Sequence, residues 1–200
     1  MKIRRLLAAL SLLAAVAGPA SAATMQYIFT GIAKGALGSQ GFTDALVTVT
    51  ATGNTGDVTF SAPNTFLNSQ VDTTITISGV GSVQVTGSDY VFDNQASSKI
   101  GYGVNGIPFC CDIIQFINPA YAAYDLMSAI GPLPFGSDLS IGDWIDVPTS
   151  SGLLTLRSYT DNTFEATVVP LTVVPLPGSL ALLGCALAGL GIVRRRPSAA

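Results

Sequence analysis

The chain of 200 residues contains no histidine. That absence removes the Ser-His-Asp and Cys-His arrangements of nucleophilic catalysis and every His-ligated zinc, copper or iron site. A general base near neutrality would have to be a carboxylate with a raised pKa or a lysine with a lowered one. Charge of either sign is scarce too, since Asp, Glu, Lys and Arg make up only 10% of the chain. Glu165 is the single glutamate and Trp144 the single tryptophan. A paired-carboxylate glycosidase therefore has little to draw on: Glu165 sits in a regular alternating run, and the aspartates fall in turn-like sequence.

The few charges are unevenly placed. Of 9 basic residues, Lys2, Arg4 and Arg5 lie at the N-terminal end and Arg194, Arg195 and Arg196 at the C-terminal end. Only Lys34, Lys99 and Arg157 remain between, together with all 12 acidic residues, so the body carries a formal charge of −9. It offers no basic patch to neutralise phosphates, and nucleic acid is not expected as a partner. Such a domain stays soluble and holds cations loosely. Lys34 and Lys99 read as solvated lysines beside glycine- or serine-rich turns.

Both ends carry signals. Lys2, Arg4 and Arg5 precede an apolar run from Leu6 to Ala17; Gly18 and Pro19 break it, and Ala20-Ser21-Ala22 has the small-x-small pattern of a signal-peptide cleavage site. Cleavage is expected after Ala22, with Ala23 the next choice. At the other end, Val174-Pro175-Leu176-Pro177 is an extended, proline-bounded element. Gly178 to Val193 follows without a charge, and Arg194-Arg195-Arg196 closes the segment. At about 1.5 Å per residue the apolar stretch spans roughly 24 Å as a helix, and the VVPLP approach with arginine snorkelling extends it toward a spanning length. The arginines suit a cytoplasmic terminus.

Proline-x-proline, apolar helix and arginine cluster, in that order, resemble the PEP-CTERM sorting tail of Gram-negative bacteria. Leu176 replaces the usual central glutamate, so the segment is similar to the VPLPA-like variant, with Gly178 where alanine is common. The resemblance implies an exported protein held in the inner membrane, read by an exosortase-type enzyme and sorted to the envelope, the cell surface or beyond. Its partners would be signal peptidase, the sorting enzyme and an exopolysaccharide. The expected organisation is a signal peptide over 1–22, an exported domain over 23–172 and a sorting tail over 173–200, with its helix at 178–193.

Between the ends the texture is β. Ala45, Val47, Val49 and Ala51 alternate with Leu46, Thr48, Thr50 and Thr52; Val71 to Ser78 and Thr163 to Val168 repeat the pattern. Weaker runs are 26–33, 57–61, 82–85, 89–92, 112–117 and 153–159. Gly53-Asn54-Thr55-Gly56 and Gly79-Val80-Gly81 read as hairpin turns, and Asp161-Asn162 as the link of the last strand pair. Eight to ten short strands at this spacing predict an all-β antiparallel sandwich or jelly-roll. Pro119 to Ile130 predicts a short helix with Tyr121, Tyr124, Met127 and Ile130 on one face, a strand over 123–127 being the competing assignment, and GPLPFG follows as loop. The opening of the body and its YDLMSAIGPLPFG stretch also resemble, loosely, the bodies of exported proteins carrying this tail, to which no activity is attached.

Candidate chemistry is thin. Asp138, Asp143 and Asp146, and separately Asp89 and Asp93, sit in oxygen-rich sequence that could hold calcium if it forms loops; solvated turn aspartates are the plainer reading. Trp144 beside Asp143 and Asp146 reads either as a sugar-stacking surface or as a core tryptophan. Cys110 and Cys111 are adjacent. A vicinal disulfide is favoured, with intermolecular pairing and two reduced thiols as alternatives. Cys185 falls in the apolar tail. No catalytic residue and no cofactor is assigned, and the chain is read as a structural or adhesive protein. A carbohydrate- or calcium-binding module is the alternative, and an exported hydrolase is the weakest.

Overall fold

The computed structural model describes residues 22–61, 63–105, 112–134 and 144–170. Among them are twelve strands: β1 (Thr24–Leu37), β2 (Gln40–Asn54), β3 (Val58–Ser61), β4 (Thr65–Asn68), β5 (Val71–Ile77), β6 (Gly81–Gln84), β7 (Asp89–Asn94), β8 (Lys99–Val104), β9 (Asp112–Ile117), β10 (Ile130–Pro134), β11 (Trp144–Thr149) and β12 (Gly152–Val169). They form two antiparallel sheets. The first runs β10-β12-β1-β2-β5-β6, with β11 also paired to β12, and the second runs β3-β4-β7-β8-β9. The all-β class read from the sequence holds, as two sheets facing each other across one core. No helix among the described residues is long and apolar enough to cross a membrane. The sorting tail, including Val174 to Pro177 and Arg194 to Arg196, and Ala20 of the signal lie outside the described residues.

Period-two alternation builds the first sheet. Along β1, Met25, Tyr27 and Phe29 are fully buried while Gln26, Ile28 and Thr30 face outward; Val47, Val49 and Ala51 of β2 do the same. The outward face is a field of hydroxyls. Thr163, Thr30, Thr48, Thr76 and Ser82 stand side by side across five strands. Thr76 and Ser82 share a 2.8 Å hydrogen bond, and Gln84 Nε2 donates to Thr74 Oγ1 at 2.7 Å. Threonine fits here because its branched Cβ suits the pleat and its hydroxyl suits water.

The inner faces meet through aromatic rings. Phe29 of β1 lies 4.9 Å (centroid to centroid) from Phe164 of β12, and reaches across to Phe116 of β9 at 5.7 Å and Tyr102 of β8 at 6.2 Å. Offset and tilted pairs of this kind add to what area burial supplies.

Four local expectations are corrected. Gly53–Gly56 is not a hairpin, because β2 belongs to the first sheet and β3 to the second. The chain crosses there, and Ala23 and Thr55 exchange bonds at 2.9 and 3.0 Å to hold the corner. Asp161-Asn162 is not a turn, since both residues lie inside β12, an 18-residue strand. Two residues of β12, Asp161 and Asn162, oppose the single residue Gly31 of β1 at this point, and Asp161 takes a φ of 51°, a β-bulge. Gly31 opposite leaves room for the Asn162 side chain, which a Cβ would overlap. Pro119–Ile130 is not a helix. Only Pro119–Ala123 forms a 3₁₀ turn, Tyr124 is already extended, and Ile130 opens β10. Tyr121, Tyr124 and Leu126 turn inward while Met127 is exposed, so packing on the sheets overrides helical spacing. GPLP is accordingly part of β10, not loop. By contrast, Gly79-Val80-Gly81 does turn a hairpin between β5 and β6, with φ of 78° at Gly79.

Phe29→Ala removes the ring that touches both sheets. It should lower unfolding free energy by about 3–5 kcal/mol, whereas Thr48→Ala on the outer face should change it by about 0.5 kcal/mol or less. Urea denaturation of both variants checks this.

Candidate functional site

Strand β7 reads DYVFDN, and its alternation has an unusual content. Asp89, Val91 and Asp93 face the interior. The two aspartates therefore occupy one inner strand face about 13 Å apart, not a common oxygen-rich loop, and the calcium-loop reading of this pair is corrected. Their surroundings differ. Asp89 accepts a 2.9 Å hydrogen bond from Tyr102 Oη, and burial raises its pKa. Asp93 has no exposed surface, and neither carboxylate oxygen has a hydrogen-bond partner. Burial, and then the negative charge of Asp125, raise it to about 8.

A short segment covers Asp93. Asn118 accepts from the Ala120 amide at 3.0 Å and starts the 3₁₀ turn at Pro119. The turn packs on β7 and β8. Gln95 Nε2 donates to the Tyr124 carbonyl at 2.8 Å, and Tyr27 Oη donates to the Leu126 carbonyl at 2.7 Å. The rings of Tyr121 and Tyr124 stand edge-on to Phe164, at 5.8 and 6.2 Å. Their hydroxyls, like the Asp93 oxygens, are buried without a partner. Burial raises the pKa of both phenols, and the charge of Asp93 raises each further. A buried polar atom left unsatisfied costs about 1–3 kcal/mol, so four such atoms under one cover segment demand an explanation. The Asp93 carboxylate has no surface open to solvent. The arrangement suits a carboxyl group that keeps its proton near neutrality.

A second feature lies at one end of the first sheet, where the β1–β2, β5–β6 and β11–β12 turns converge. They enclose a cavity of about 340 Å³ lined by Leu37, Ser39, Gln40, Ser82, Val83 and Ser151 among others. Its lining holds no titratable side chain, so its chemistry is limited to hydrogen bonds and apolar contact.

The residues singled out from sequence are dispersed. Ala22 is exposed and Ala23 leads directly into β1, bonded to Thr55. Lys34 is exposed within β1, not in a turn, and Glu165 faces outward on β12 opposite Ile28. Cys110, Cys111, Asp138 and Asp143 lie outside the described residues, as do the side chains of Trp144 and Asp146. No group of three or more Cys, Asp or Glu side chains comes together among the described residues. Sequence reasoning missed the Asp93–Tyr121–Tyr124 cluster because its members are far apart in the chain. The available signal was an aspartate in phase with Asp89 and Val91, at an inward position of a strand.

The raised pKa fixes the sign of a pH effect. Folded Asp93 keeps its proton to about pH 8, whereas the unfolded chain releases it near its ordinary value of about 3.9. Its stabilising contribution is complete below the unfolded value and is lost as pH rises toward 8. Stability relative to Asp93→Asn should fall by on the order of 2–4 kcal/mol between pH 4 and pH 8. Denaturation midpoints of the two proteins across that range check this. Compared with models of protein families, with curated proteins and with solved structures, the chain has no significant match.

Proposed function

We propose that this is an exported cell-envelope or extracellular-matrix protein, structural or adhesive in role. A signal peptide delivers it across the inner membrane, and its PEP-CTERM-like tail holds it there until an exosortase-type enzyme acts. The observation that carries this reading is the order of elements in the chain: basic residues, apolar run and small-x-small site at one end, Pro-x-Pro, uncharged stretch and arginine cluster at the other. Six of the nine basic residues belong to those two ends, which leaves an acidic domain between them.

What lies between supports a non-catalytic role. The outer face of the first sheet is broad and rich in hydroxyls, with Thr30, Thr48, Thr76 and Thr163 in one row and Thr50 and Thr74 in the next. Such a face suits hydrogen bonding to a neutral, hydroxyl-rich matrix such as an exopolysaccharide. The described acidic groups that lie deepest, Asp89 and Asp93, are shut inside the sandwich and do no surface chemistry.

Processing at both ends is expected to leave a mature chain starting at Ala23 and lacking Arg194 to Arg196. Intact mass of the protein from hosts with and without the sorting enzyme measures this. A full-length tail in both hosts, with the protein remaining in the inner-membrane fraction, overturns the reading.

A further inference from the structure

We propose that the cavity enclosed by the β1–β2, β5–β6 and β11–β12 turns binds a neutral saccharide, either a free sugar or the end of a sugar chain. The inference deepens the matrix-contact reading and rests on it for the source of the sugar. Its test reads sugar binding at one named place, so sorting, matrix contact and this site can each fail separately.

The cavity owes its shape to a closure of the first sheet. Val85, one residue beyond β6, bridges Thr149 of β11. On either side of that bridge the Ser150 amide donates to the Gln84 carbonyl at 2.8 Å, and the Thr86 amide donates to the Pro148 carbonyl at 3.0 Å. Ser150 Oγ also accepts from the Gln84 amide at 3.1 Å. Because β11 pairs with β12 as well, the path β12-β1-β2-β5-β6-β11 returns to its start as a closed ring of strands. The Gly38 amide donates to the Leu153 carbonyl at 2.8 Å and ties the β1–β2 turn to the start of β12. The mouth of such a ring is a favoured place for a small-ligand site. Main-chain bonds fix this one in advance, so little ordering is left to oppose binding.

The lining selects the ligand. A volume of about 340 Å³ lies at the small end of the range for ligand pockets, about 300–1,000 Å³, and suits a mono- or disaccharide better than a large cofactor. Leu37 and Val83, only 9% and 5% exposed, form the floor, with half-buried Val80 beside them. They offer an apolar surface to the C–H face of a sugar ring. Ser39, Gln40, Ser82 and Ser151 stand exposed around that floor. Each of these side chains both donates and accepts, as each sugar hydroxyl does. None of the described lining residues is titratable, so a charged ligand would lose water without gaining a partner. Ser82 belongs also to the outer row of Thr163, Thr30, Thr48 and Thr76. A chain whose end sits in the cavity can therefore continue along that row.

The test uses the full-length chain in a detergent without a sugar headgroup. The probes are neutral methyl glycosides of glucose, galactose and mannose, N-acetylglucosamine and their disaccharides, with glucuronate and glucosamine as charged counterparts. At least one neutral sugar should bind saturably in saturation-transfer NMR and shift the amide resonances of residues 37–40, 80–83 and 151–152, with the charged counterparts binding more weakly. Gln40→Ala and Ser151→Ala should each weaken binding about two- to tenfold. Ser82→Trp, at an exposed position, should block the mouth and abolish binding with Tm unchanged. Thr48→Ala lies in the row but not in the cavity and should leave binding of a single sugar as it is. The proposal is overturned if no neutral sugar binds, if charged sugars bind as well as neutral ones, or if binding survives Ser82→Trp. Shifts confined to Thr30, Thr48 and Thr76 would also overturn it, while leaving the matrix-contact reading of the outer face intact.

Discussion

Everything in this fold depends on the pairing of β1 with β12. The register runs from Thr24 opposite Val169 to Leu37 opposite Leu154, with single-residue bulges on the β12 side. It places the first and last strands of the domain side by side in the middle of the larger sheet. Phe29 and Phe164 face each other in that pair, and the ring of Phe29 is the bridge to Tyr102 and Phe116 of the other sheet. The core therefore cannot close until the last strand is in place. Contacts this distant in sequence are formed late and slowly, because loop closure must precede the contacts that reward it. Until β12 arrives, one hydrogen-bonding edge of β1 stays unpaired.

The same geometry explains the polar interior. Alternation on a strand between two sheets dictates which side chains enter the core, whatever their type. On β7 it sends Asp89 and Asp93 inward with Val91. Asp89 meets a phenol that donates to it, and Asp93 does not. The difference follows from what packs above each. Tyr102 reaches Asp89 from the adjacent strand of its own sheet, whereas Asp93 lies under a cover segment whose two phenols are turned to Phe164.

Much of the architecture was legible in the sequence, and what was hidden has physical reasons. Ala45–Ala51, Val71–Ile77 and Phe164–Ala166 alternate cleanly because one face of each is water and the other is core. The Gly79 turn was legible because positive φ at a three-residue loop calls for glycine. Gly53–Gly56 was misread because a crossing between sheets and a hairpin use the same turn residues; only pairing partners distinguish them. Asp161-Asn162 was misread because a bulge also recruits aspartate and asparagine at positive φ. The helix expected over Pro119–Ile130 failed because Tyr121, Tyr124 and Leu126 gain more by filling the end of the sandwich than by stacking along a helix that would bury Met127. The candidate site was almost invisible: Asp93 and its tyrosines come from separate elements, and only the inward phase of Asp93 on β7 hinted at it.

The cover segment is where these constraints meet. Its backbone is tied down by Gln95 and Tyr27 through the Tyr124 and Leu126 carbonyls, and its rings lean on Phe164. Those contacts fix its position against the first sheet and the 95–97 turn. They leave its fit against Asp93 to whatever neutralises that carboxylate. A proton on Asp93 removes the charge that burial disfavours. An apolar residue in place of Asp93 would avoid the desolvation cost entirely, yet it would also leave the cover indifferent to its surroundings. With a carboxylate there, the stability of this end of the sandwich depends on the pH of the medium.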